Sequence, residues 1–289
     1  MREVFKILDQ EECGILLISG DLFDQPDIPF WLFNKVSRLF QQECPCAYIC
    51  AIPGQHDLRW HTTPLIDTPI GALESIENFK IVNTTDRAIF FPKFKVNIYG
   101  KGWGEQIEPQ VKMQKATSIL LIHELVVLKE KLFLQQEEGS FSYSSDLLKK
   151  YPDFKYIISG DNHQTFHTKM KDRFLINPGS LMRKRKDQLE HKPTIFVFDS
   201  EEDYIEEFGI PVRPIEDVFR LDKIASDEEK KGAKELLDTF FKTIAESEES
   251  PDFLNVLQRM IKKEVTEKDM KEYINIKIGN ALKKAKGGE

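Results

Sequence analysis

Four short, almost unbroken apolar runs each stop at or just before a glycine, an aspartate or a histidine. Residues 14–19 (GILLIS) stop at Gly20-Asp21, residues 47–52 at Pro53-Gly54, residues 118–122 at His123, and residues 156–159 at Gly160-Asp161. Runs of this length and continuity suit β-strands covered on both faces, as in an α/β fold. Polar residues just past the carboxyl ends of such strands are where α/β folds place their ligands. Residues 14–19 read as an interior strand, with a neighbouring strand on each side.

Other segments fill in the layers. Residues 28–42 have helical spacing of Trp31, Leu32, Lys35, Val36, Leu39 and Phe40, and residues 71–77, 105–114 and 144–149 are shorter helix candidates. Residues 79–82, 88–91, 94–99, 174–176 and 194–198 read as further strands. After about Glu207 the character changes. Pro211 and Pro214 bracket a turn or linker, and residues 216–225, 227–246, 251–264 and 266–285 are helical in composition. Apolar stripes such as Leu236, Leu237, Phe240, Phe241 and Ile244 need a surface to pack on. The expected organisation is a main domain over 1–207 and a helical region over 208–289. That region is either an appendage of the main domain or a module that docks a partner.

Composition narrows the function classes. Lys+Arg 41 against Asp+Glu 48 gives a net charge of −7, which excludes a mostly positive nucleic-acid coat but not a local basic groove. No apolar run approaches the roughly 20 residues that span a bilayer, and no basic-then-apolar leader opens the sequence. A soluble, intracellular (cytoplasmic) protein without a membrane partner is expected. Cys13, Cys44, Cys46 and Cys50 are too few for a disulfide scaffold. The cluster Cys44, Cys46 and Cys50 admits a zinc reading, but its overlap with an apolar strand favours buried or half-buried thiols.

The strand ends carry the chemistry. The first supplies Asp21, with Asp24 one short loop on. The second supplies Gln55, His56 and Asp57, the third His123 and Glu124, and the fourth Asp161 and His163. Three of the chain's six histidines stand at these ends, so their grouping is hard to produce by chance. Carboxylates and imidazoles suit Mn²⁺, Fe²⁺ or Zn²⁺. Two such ions activate water and stabilise both oxygens of an in-line phosphoryl displacement.

GDLFD (20–24), PGQHD (53–57), the strand ending in His123, GDNH (160–163) and NPGSLMR (177–183) resemble, in order and spacing, the calcineurin-like metallophosphoesterases. Within that superfamily they most resemble the SbcD-type DNA repair and recombination nucleases, phage members included. The resemblance covers roughly residues 10–200. It implies a four-layer α-β-β-α sandwich and two divalent metals, Mn²⁺ first and Mg²⁺ second. It implies that Asp21 bridges the metals, that His163 binds the first ion, and that Gln55, His123 and Asp161 bind the second. His56 is then the catalytic histidine, supported by Asp57. Arg183, Lys184 and Arg185 (with Lys186) either contact DNA or form a solvated turn. The implied partners are DNA, an SMC-like ATPase and a second copy of the chain, with residues 28–42 as the dimer candidate.

The sequence departs from that pattern in three places. The family opens with a strand ending in Asp-x-His that binds the first metal, and this chain begins instead with a helix-like segment, 1–10. An incomplete chain is the first expectation, with a degenerate member or a first strand from another chain as alternatives. Gln55 stands where the family has Asn, and Asp161 where it has His. Counted out, the second ion keeps Asp21, Gln55, His123 and Asp161, whereas the first keeps Asp21 and His163 and is expected to bind weakly. The implied function is a metal-dependent DNA exo- or endonuclease subunit. The alternatives are a phosphatase or phosphodiesterase on a small substrate and a catalytically impaired scaffold.

Overall fold

The structure is a computed structural model that describes residues 1–61, 65–82, 88–105, 116–128, 141–183, 188–202, 204–218 and 276. The chain divides into two compact units, Met1–Val212 and Arg213–Glu289. The first has an α/β fold with β-sheets at its centre and helices around them.

Two sheets form its middle. A three-stranded parallel sheet has the order β1 (Ile15–Ile18), β2 (Tyr48–Ala51), β3 (Phe79–Ile81). A six-stranded sheet has the order β10 (Phe166–Met170), β11 (Arg173–Asn177), β9 (Tyr156–Gly160), β6 (Thr117–His123), β5 (Val96–Lys101), β4 (Ile89–Phe91). Its inner pairs are parallel and its two outer pairs antiparallel. Two short strands, β7 (Val126–Val127) and β8 (Ser142–Tyr143), pair separately, as does the hairpin of β12 (Thr194–Phe198) and β13 (Ile205–Gly209).

The period of two along each strand sorts side chains into three cores. On β2, Ile49 and Ala51 join helix α1 (Arg2–Gln10), through Val4, Phe5 and Leu8, together with Phe40. Cys50 and Ile52 face the other way, into the core between the sheets with Ile98, Ile119, Leu121 and Ile158. On β6 the intervening Leu120 and Ile122 join a third core with Leu147 and Leu148 of helix α4 (Ser144–Lys150). Each fully buried Leu or Ile contributes about 1.5–3 kcal/mol. The same alternation separates the thiols. All four are free, Cys50 lies between the sheets, and Cys13, Cys44 and Cys46 lie on the helix side. Cys50 therefore does not share a face with Cys44 and Cys46, which removes it from the zinc reading.

One strand differs from expectation. Among the described residues β1 is an edge strand, paired only with β2, and Ile15, Leu16, Leu17 and Ile18 are each half-buried. Its unbroken apolar run reflects two covered faces. Ile15 and Leu17 touch the inter-sheet core, and Leu16 and Ile18 the helix-side core. Coverage of faces and pairing of edges are separate constraints, and only the first is written in hydropathy.

The helix expected over 28–42 is α2 (Phe30–Arg38), running into a wider turn over Leu39–Glu43. That expected over 71–77 is α3 (Pro69–Ala72) followed by a tighter 3₁₀ turn, Leu73–Ser75. Strands β10 and β13 were not foreseen. Their alternation of half-buried and exposed residues leaves no continuous apolar run. The helix candidate over 105–114 lies outside the described residues except Glu105. Of the C-terminal helices only α5 (Ile215–Val218) and Ile276 lie within them. No helix among the described residues is long and apolar enough to cross a membrane.

Candidate metal centre

The parallel register brings the carboxyl ends of the central strands together. His123 is opposite Gly160 on the β6–β9 ladder, and Asp21 and Gln55 follow the paired β1 and β2 ends, Ile18 and Ala51. The two sheets are then joined by His123. Its Nδ1 lies 2.6 Å from the backbone carbonyl of Ser19, and Ser19 Oγ donates to the Ser159 carbonyl at 3.1 Å. Gly20 makes room for this contact. Its φ is +96°, and a Cβ there would stand 2.2 Å from His123 Nδ1. Gly54 is similarly required, because its Cβ would fall 2.1 Å from Asp21 Oδ1.

Asp21, His123 and Asp161 each offer a ligand atom within 4.8 Å of the other two. Gln55 is hydrogen-bonded to two of the three. Its Nε2 donates to Asp161 Oδ1 at 2.9 Å, which turns its Oε1 toward His123 Nε2 at 2.6 Å. Asp21 Oδ2 lies 3.4 Å from the same nitrogen. A carbonyl oxygen only accepts, so the proton of His123 sits on Nδ1 toward Ser19. In a neutral ring, Nε2 then presents a lone pair to an amide oxygen and two carboxylates. These groups repel one another unless a positive charge stands among them. Either the imidazole takes a second proton or a cation occupies the point of convergence. The donor set is mixed nitrogen and oxygen, and it suits a divalent cation such as Mn²⁺. The Ser19 bond to Nδ1 is the orienting contact that metal-ligating histidines use.

The electrostatics agree. Burial opposes a charge on His123, but the hydrogen bond and negative charge of Asp21, then the Ser19 carbonyl and Asp161, outweigh it and raise the pKa. Asp21 is held below the usual carboxylate range. Burial works against this, and the His123 hydrogen bond and charge, with the His56 N–H, overcome it. Asp21 and Asp161 also have left-handed backbones, with φ of 51° and 74°. That conformation costs roughly 1–2 kcal/mol for an L-residue, least for Asp and Asn. Strain of this sort clusters at functional sites.

The other predicted residues surround this group. His56 is exposed, and its backbone N–H donates to Asp21 Oδ1 at 2.9 Å. Asp57 is fully buried and accepts from three backbone N–H groups, Leu22 (3.3 Å), Phe23 (3.0 Å) and Gly54 (3.0 Å). Burial pushes its carboxyl up to about 6 in spite of those bonds. It thus clasps the loop after β1 to the loop after β2. His163 is half-buried and lies outside the three-residue group. Its carbonyl accepts the Ser180 N–H at 3.1 Å. Arg183 is half-buried, and Lys184, Arg185 and Lys186 lie outside the described residues.

Sequence reading missed one structural residue, Asn177. It is fully buried, accepts from Ser159 Oγ at 2.9 Å, and donates to the carbonyls of Asn162 and Gln164 at 2.7 Å each. It thereby fixes the loop that holds Asp161 and His163. Its only sequence signal was its position at the head of NPGSLMR.

No protein-family model matches the chain, and no curated protein does. Several solved structures are similar to it. One is a phosphopantetheinyl hydrolase from Mycobacterium tuberculosis, at 10% identity over 69% of this chain and 86% of that one, with a TM-score of 0.42. Another is described as a novel archaeal phosphodiesterase, at 15% identity over 72% and 90%, with a TM-score of 0.40. A third is a putative 5'-nucleotidase from Staphylococcus aureus, at 13% identity over 62% and 43%, with a TM-score of 0.41.

Proposed function

We propose that the chain is a metal-dependent phosphodiesterase of the calcineurin-like type, built as a four-layer sandwich and acting on DNA as a nuclease subunit. The observation that carries this reading is the convergence of Asp21, Gln55, His123 and Asp161 on one point that needs a positive charge. A divalent cation held there supplies an activated water and withdraws charge from the phosphoryl oxygens. Mn²⁺ is the proposed ion, with Mg²⁺ second, because three of the four donors are oxygens.

The chain's own residues do the remaining work. His56 is solvent-exposed, and its backbone is tied to Asp21. Its imidazole is proposed to donate a proton to the leaving oxygen. Asp57 holds the turn beneath it. A second ion on Asp21 and His163 is proposed to bind weakly, since those two residues are its only proposed protein ligands. The DNA assignment rests on the order of the motifs through NPGSLMR, with Arg183 and the basic residues after it as the proposed backbone contact.

The test is Mn²⁺-dependent cleavage of linear single- and double-stranded DNA alongside hydrolysis of a small aryl phosphodiester. Cleavage of DNA that stops with EDTA and falls about 100-fold in His56→Ala is expected. Turnover of the small diester with none on DNA would replace the nuclease reading with a small-substrate phosphodiesterase. No turnover of either, with Mn²⁺ still bound, would indicate an impaired scaffold.

Residues 208–289 are proposed as the docking module for an SMC-like ATPase, on the strength of their apolar helical stripes. Deleting them is expected to abolish co-purification with such a partner. Retention of the partner by the shortened chain would refute this role.

A further inference from the structure

An aromatic side chain four residues after His56 has no role in the chemistry above. Trp60 is 82% exposed, although a tryptophan ring is among the largest apolar surfaces a protein can bury. Its backbone is left-handed, at φ 51° and ψ 28°. For a bulky residue this is a genuine outlier, and its cost is not recovered by burying the ring.

The residues just before Trp60 are fixed by burial and by an ion pair. Asp57 and Leu58 are buried. Arg59 bonds to Asp27 and carries its guanidinium 5.9 Å from the centre of the Trp60 ring. The strained backbone thus holds an indole in solvent, four residues from His56, with a cation beside it.

We propose that Trp60 is a stacking platform for an unpaired nucleobase at the rim of the metal centre, and that it gives the site a preference for single-stranded DNA. This rests on the nuclease reading. Every base has a π-face, so an exposed indole takes any of them without reading sequence. Arg59 adds a cation for the stacked pair or for the adjoining phosphate. A protein partner is the competing occupant, since Phe30 and Trp31 at the start of α2 are also exposed, at 87% and 66%. The Arg59 guanidinium by the ring, and a position four residues from His56 in the sequence, favour the nucleobase.

The test compares binding of a labelled oligo(dT) with an abasic strand of the same length and charge, in EDTA so that neither is cut. The full chain is expected to bind the base-bearing strand about 10-fold more tightly, within the range of one stacked base. Trp60→Ala should erase that preference, and Trp60→Phe should keep most of it. Equal binding of both strands by the natural chain overturns the proposal, as does a preference that survives in Trp60→Ala. Self-association that Trp60→Ala removes, with the base preference intact, reassigns the ring to a protein contact. Metal-dependent cleavage of DNA without any base preference refutes stacking alone. Absence of both refutes the nuclease reading along with it.

Discussion

His123→Ala is expected to abolish tight Mn²⁺ binding, weakening it by more than about 100-fold in titration calorimetry. Losing only an orienting partner of a metal ligand costs 10–100-fold, and here the ligand itself is removed. The natural chain should bind one ion tightly. At 100 times the dissociation constant that ion adds about 2.7 kcal/mol to folding, equivalent to a rise in melting temperature of about 5–10 °C. The variant should show no such rise. The metal-free variant keeps Gln55 and both carboxylates, so the experiment isolates the nitrogen donor and its bond to Ser19. Unchanged Mn²⁺ affinity would show that the convergence of Gln55 and Asp21 on His123 is satisfied by a proton alone. Two equally tight ions in the natural chain would overturn the one-strong, one-weak ordering of the sites.

Asn177→Ala should lower stability by about 3–4 kcal/mol, or roughly 10 °C in melting temperature. The substitution strips the buried Ser159 hydroxyl and the part-buried carbonyls of Asn162 and Gln164 of their partner. It also frees the loop carrying Asp161, so Mn²⁺ affinity should fall with stability. Asn177→Asp separates packing from hydrogen bonding. It matches the shape but turns an oxygen toward two carbonyl oxygens, and it should be at least as damaging as alanine. If the aspartate variant were as stable as the natural chain, the amide would be filling space and not fastening the loop.

Much of this architecture could be read from residue order. The four runs ending at Gly20-Asp21, Pro53-Gly54, His123 and Gly160-Asp161 gave the strands β1, β2, β6 and β9 to within a residue or two. Strands β10 and β13 were hidden because each mixes half-buried and exposed residues and so leaves no apolar run to read. The site was legible as a set of residues but not as a shape. His123 and Asp161 could be named from their strand ends. That Gln55 turns its oxygen to one and its nitrogen to the other could not.

The boundary between the two kinds of information is physical. Hydropathy along a strand records which faces are covered, because burial acts on side chains one by one. It therefore determined that the four runs are strands covered on both faces, whereas the three cores and the sorting of Cys50 away from Cys44 and Cys46 came with the tertiary structure. It could not determine which edges are paired, because edges are made of backbone groups common to every residue. Only the tertiary structure put β1 at the rim of its sheet among the described residues. The same limit applies to polar groups. A carboxylate or an amide carries no mark of its partner, so only the fold could assign Asp57 to three backbone N–H groups and Asn177 to the loop of Asp161.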